Sequence, residues 1–138
     1  MKKSTIAIIV GIIIGGLFVA LGESLSYYFF PVETPFPTDR TLLAEYMEND
    51  IPFGAKVIVV VNWAVAAFLA GIVSTFISGR TSVKPMLASV GVLNILALIN
   101  LLVLPHPKWM WIASLCIFIP FGLVSWFLIR KKKPHEGA

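Results

Sequence analysis

Few side chains in this 138-residue chain could do chemistry: Glu23, Asn62, Asn94, Asn100, His106 and Cys116, with scattered hydroxyls. Glu23 is the one charge inside a long apolar run, and an ionisable group in such a run is a candidate functional site by default. At 1.5 Å per helical residue, Glu23, Asn62 and Asn100 fall roughly 6 to 10 Å below the outer ends of their runs. His106 stands just above them in Pro105-His106-Pro107. A carboxylate, two amides and an imidazole are therefore expected in the outer half of the protein, and these four are the candidate binding residues.

Two chemistries suit that set. Glu23 could carry a proton or cation, with Asn62, Asn100 and His106 lining an outward-facing cavity. Alternatively, Glu23 hydrogen-bonds Asn62, Asn100 or Ser26 as interhelical glue, or snorkels toward water beneath the loop. Asn94, nearer the middle of its run, reads as packing glue.

Other chemistries lack their parts. His106 has no second His at a metal-ligand spacing, and His135 stands alone in a polar tail, so no metal is expected. A single cysteine, Cys116, embedded in an apolar run, leaves thiol–disulfide exchange and Cys-based zinc sites without partners. No H-E-x-x-H, G-x-S-x-G, Walker A or dinucleotide fingerprint is present. Ser24 and Ser26 beside Glu23 lack an oxyanion site. Neither enzyme activity nor a cofactor is expected.

The elements that position these residues follow from composition. With 58% hydrophobic and 13% charged residues and a mean hydropathy of +0.90, the chain has more apolar side chains than a soluble domain of this size can bury. They group into four runs, about 4–30, 57–77, 86–104 and 109–129, each near the ~20 residues that span a hydrocarbon core. An all-α integral membrane four-helix bundle, up-down-up-down, in one transmembrane domain over residues 1–138, is the expected fold.

Basic residues set its direction. Lys2, Lys3, Arg80, Lys84, Arg130, Lys131, Lys132 and Lys133 fall on one side, against Arg40, Lys56 and Lys108 on the other. Both termini are thereby expected in the cytoplasm. Glu33, Asp39, Glu45, Glu48 and Asp50 all fall in the outer loop, 31–55. The basic clusters abut helix ends, which suits an anchor on anionic lipid rather than nucleic-acid binding. Met1-Lys2-Lys3 and Ala20-Leu21-Gly22 imitate a signal peptide, but the apolar run exceeds the usual h-region of about 7 to 15 residues, so a retained first span is expected.

Small residues indicate the packing. Gly11 and Gly15 form a G-x-x-x-G, on one face with Ala7, Gly22 and Ser26. Ala64, Ala67, Gly71, Ser74 and Ser78 make a second seam at 3-4 spacing, and the first two spans are expected to pair through these seams. The alternative use of G-x-x-x-G is a homodimer seam. Pro120-Phe121-Gly122 should bend the last span. In the outer loop, Leu42, Leu43, Tyr46 and Met47, behind an N-cap signal at Asp39, predict a short amphipathic helix over about 39–48.

Gly22-Glu23-Ser24, Leu104-Pro105-His106-Pro107-Lys108-Trp109-Met110-Trp111 and Pro120 together resemble a set of short uncharacterised bacterial four-span inner-membrane proteins with an acidic outer loop. That resemblance implies the four-span layout and a bacterial inner membrane, and no substrate. The small multidrug resistance transporters share the size, the span count and a first-span Glu. Here, however, the Glu lies further out, the first loop is longer, and the charge bias disfavours dual orientation. The function expected is an accessory or structural membrane protein acting through lipid, a membrane-protein partner or a second copy; the alternative is a proton- or cation-coupled small transporter using Glu23.

Overall fold

The computed structural model describes residues 2–131; Lys132, Lys133 and His135 lie outside the described residues. The elements are α1 (Lys2–Phe29), α2 (Arg40–Glu45) with a π-helical turn (Tyr46–Asp50) continuing it, α3 (Phe53–Ile77), α4 (Lys84–Val103) and α5 (Lys108–Ile129). All regular structure among the described residues is helical. Helices α1, α3, α4 and α5 are each long and apolar enough to cross a membrane, the architecture of a multi-pass membrane protein.

Proline marks several helix starts. Pro52 and Pro107 stand in extended conformations just ahead of α3 and α5, and Pro85 lies in the first turn of α4, all places where an amide proton is dispensable. Because Pro52 caps α3, that helix begins at Phe53 rather than near residue 57. Lys56, expected in the outer loop, is therefore in its first turn and is buried. The amphipathic segment also departs from a uniform helix over 39–48. Asp39 caps it, accepting from Thr41 N at 2.8 Å and Thr41 Oγ1 at 2.6 Å, but the α-helix ends at Glu45 and widens into the π turn. Tyr46 and Met47 are buried, whereas Leu42 is exposed.

Without a hydrophobic force between helices in lipid, contact depends on how closely backbones approach. Gly11 faces Ser74 and Ser89, Gly15 faces Ala70 and Leu93, and Gly22 faces Asn62. Residue numbers rise along α1 as they fall along α3. The Ser26 hydroxyl continues this seam, donating to Ala55 O at 3.2 Å. Both glycines of the G-x-x-x-G thus face neighbouring helices of the same chain. The second seam divides between two neighbours, because successive helical residues turn by 100°. Ser74 meets α1, as does Ala70 outside the expected seam; Gly71 meets Gly122 and Ser125 of α5, and Ala67 joins Trp63, Met86, Val90 and Phe118 in the core. Helix α3 is accordingly central, contacting α1, α4 and α5.

Helix α5 runs on through Pro120. Cys116, one turn earlier, is exposed on the bundle's exterior; its apolar sequence context reflected lipid rather than core. At one end, Gly79 and Arg80 turn the chain with φ of 90° and 65°, and Lys131 N donates to Arg80 O at 2.9 Å. The Arg130 guanidinium lies 4.7 Å from the Trp126 ring centre and 4.5 Å from that of Phe127. At the other end, an Arg40 Nη2–H donates to Leu102 O at 3.2 Å and ties α2 to α4.

Candidate functional site

A cavity of ≈ 120 Å³ lies where the ends of α1, α3 and α4 meet the loop that carries α2. Glu23 reaches it from α1, Lys56 from α3, Asn100 from α4 and His106 from the turn between α4 and α5, with Tyr46 and Met47 on the loop side. A water needs roughly 10–15 Å³ by such a measure, so several waters or one small polar group would fit.

The four candidate binding residues are not equivalent. Glu23, Asn100 and His106 line the cavity together. Asn62 does not, because its Nδ2–H₂ group turns onto α1 and donates to Phe18 O at 2.6 Å and Val19 O at 3.3 Å. Asn94 likewise bridges helices, donating to Ser114 O at 3.0 Å. The hydroxyls beside Glu23 are also engaged elsewhere. Ser24 donates to Ala20 O at 3.0 Å and Ser26 to Ala55 O, so neither is paired with the carboxylate as a nucleophile with its base. Among the described residues no hydrogen bond or ion pair is made to the Glu23 carboxylate. The expected bonds from Asn62, Asn100 and Ser26 to Glu23 are not formed.

Sequence reasoning missed Lys56 and Tyr46. Lys56 Nζ donates to Glu48 O at 2.7 Å, holding the π turn against α3. The signal was Pro52, which begins the helix early enough to carry Lys56 inward. Tyr46 is pushed above the usual phenol range, first by burial and then by the neighbouring Tyr27 and Asp50. Its face pattern was legible, but its burial depends on how the loop folds back.

His106 adds a second kind of group. Its Nδ1 lies 2.7 Å from Leu104 O, so in the neutral ring Nδ1 carries the proton and Nε2 is the free acceptor. Burial, with a smaller push from the Lys56 charge, lowers its pKa below the ordinary imidazole value; the Leu104 carbonyl acts in the opposite sense. The cavity thus offers an unbonded carboxylate, an amide, an uncharged imidazole at neutral pH and an ammonium already engaged by a carbonyl. That set can hold a small polar or charged group. Among the described residues no three His, Cys, Asp or Glu side chains group as metal ligands.

No family model, no curated protein and no solved structure matches the chain.

Proposed function

We propose that this is a small accessory protein of a bacterial inner membrane, acting through contacts with lipid or another membrane protein, and that the cavity at Glu23 is where such a contact becomes specific. One observation carries the reading. Asn62, Asn94 and Ser89 donate to main-chain carbonyls of neighbouring helices, whereas Glu23 and Asn100 face the cavity; Ser26, also on the cavity wall, donates to Ala55 O. The amides and the carboxyl group in the spans are thus divided between joining helices and lining the cavity.

Four crossings in an up-down-up-down order, with both termini cytoplasmic, complete the proposal. It is supported by Lys2, Lys3, Arg80, Lys84, Arg130 and Lys131, which sit in the first turn of a helix or just past its end, against Arg40, Lys56 and Lys108 on the other side. Tyr27, Tyr28, Trp109 and Trp111 then mark the outer interface and Trp126 the inner one. No reaction is assigned to the cavity, since no nucleophile is paired there with a base.

Purification in mild detergent, followed by mass spectrometry of retained lipids and proteins, tests the function. A defined lipid or membrane protein retained in fixed ratio, and lost when the cavity is altered, is the expected outcome; repeated recovery of the chain alone refutes it. Orientation has its own test on a Cys116→Ser background. Asn49→Cys should react with a membrane-impermeant maleimide in intact cells, and Lys131→Cys only after permeabilisation.

A second reading, a proton- or cation-coupled small transporter, is favoured by Glu23 lying on the wall common to two cavities. Reconstituted vesicles with an internal pH dye discriminate it. Proton flux abolished by Glu23→Gln would support carriage, and wild-type flux no greater than that of empty vesicles would exclude proton coupling.

A further inference from the structure

Below the cavity just described lies a second one of ≈ 130 Å³, between α1 and α4, and the two share Glu23 and Asn100. Apart from those two residues its wall is apolar: Gly16 and Val19 on α1, Leu93, Leu96 and Ala97 on α4, and Trp63 behind them. The two helices touch along Gly11 and Gly15, which face Ser89 and Leu93, and then part. At Gly16 a first side-chain carbon would meet nothing within 4 Å. Leu96, on the rim, is 51% exposed, so the cleft gives onto the surface that faces hydrocarbon.

The combined shape has a polar chamber near the membrane boundary and an apolar slot running from it along α1 and α4. Its junction is a carboxylate that receives no hydrogen bond from the described residues. Lys56, the cation on the outer cavity's wall, donates to Glu48 O. A ligand matching both parts needs a hydrocarbon chain for the slot and a hydrogen-bond-donating cation for the junction. A soluble cation would leave the slot unused, and a fatty acid would bring its negative charge against Glu23. A lipid alcohol would leave the carboxylate without a counter-charge.

We infer that the paired cavities bind a single-chain amphiphile with a protonated primary amine, its ammonium between Glu23 and Asn100 and its chain in the slot between α1 and α4. The inference rests on the reading that the outer cavity makes the protein's specific contact, and adds the chemical class of what is bound. Access is sideways from the bilayer, where such molecules reside.

Native mass spectrometry of the detergent-solubilised protein, titrated with dodecylamine, dodecanol, dodecanoate and methylamine, tests it. One dodecylamine per chain should bind at least tenfold more tightly than dodecanol, with dodecanoate and methylamine weaker still. Glu23→Gln should reduce dodecylamine to the level of dodecanol. Gly16→Leu, which fills the slot, should weaken both dodecylamine and dodecanol at least fivefold. Unliganded melting temperatures confirm that each variant is folded; Asn100→Ala, expected to weaken dodecylamine severalfold, substitutes if Glu23→Gln is not. Equal binding of dodecanol and dodecylamine, or undiminished amine binding by Glu23→Gln, overturns the amine assignment while leaving a lipid-contact cavity intact. Methylamine binding as tightly as dodecylamine overturns the slot. If no amphiphile binds, both this inference and the lipid contact at the cavity fall.

Discussion

The Asn62 carboxamide occupies the space that a side chain on Gly22 would fill. From there its Nδ2–H₂ group reaches Phe18 O and Val19 O on α1. The missing Cβ on one helix thereby admits a hydrogen-bond donor from the next, and the α1–α3 seam closes one turn below Glu23. Packing and polar bonding at this level are a single interaction, which fixes the depth and facing of the carboxylate above it.

Gly22→Ala should accordingly destabilise the bundle by about 1 to 3 kcal/mol, as overpacking does. The opposing helix-propensity gain of alanine over glycine is at most ~1 kcal/mol. The same change made on an Asn62→Ala background should cost less, because the amide has gone and only the residue-62 Cβ, 2.6 Å away, still collides. A double-mutant cycle measured by unfolding in mixed micelles reads the coupling. Additive effects would mean that the two residues do not share this space.

Gly71 and Gly91 make a second contrast. An added carbon at Gly71 would overlap the Ser125 hydroxyl and come within 3.2 Å of Gly122 O, whereas one at Gly91 meets nothing within 4 Å. Gly71→Ala should lower the melting temperature by several degrees, separating α3 from α5. Gly91→Ala should be neutral or slightly stabilising. Thermal unfolding of the two variants in one detergent settles the comparison.

Much of this fold was legible in the residues. Hydrocarbon-length runs located the four long helices, and Gly11 and Gly15 marked a close approach, because lipid rewards small side chains at contacts. Which neighbour each small residue would meet was not legible: Gly71 and Ala70 are adjacent in sequence yet face different helices. The cavity was half visible. Glu23, Asn100 and His106 were located by depth alone, but Asn62, at similar depth, turns onto α1, since rotation about the helix axis is set by packing. Lys56 was hidden by the assumption that a charge marks loop; its stem lies inside and its tip reaches a main-chain carbonyl.

Lys56 makes that carbonyl contact its own prediction. Its bond to Glu48 O joins α3 to the π turn over the cavity, and a methionine at this position would keep the stem but lose the donor. Lys56→Met should leave the four long helices formed while loosening residues 40–50. Hydrogen exchange would show this as faster exchange confined to α2 and the π turn, with α3 beyond its first turn unchanged. Uniformly faster exchange would instead assign Lys56 to the stability of the whole bundle.

His106 links the cavity to pH. Burial and the charge of Lys56 hold its folded-state pKa below the ~6.5 of a free imidazole. Above that value the ring is neutral in both folded and unfolded chains and contributes nothing to pH dependence. As pH falls through about 6.5 the unfolded chain binds a proton that the folded one resists, so stability declines until the folded-state pKa is passed, and then levels off. Asp39 works at a different pH. Its carboxylate is held below the usual range by Thr41, so its contribution is lost only in the more acidic carboxylate range. The contribution of His106 to the melting temperature should therefore be level between pH 8 and 7 and fall as the pH drops below about 6.5. His106→Gln, uncharged throughout, should remove that fall without altering the behaviour near pH 4. A variant whose profile between pH 7 and 5 parallels the wild type would show that His106 does not resist protonation in the folded protein, and that the cavity wall is wetter than its burial implies.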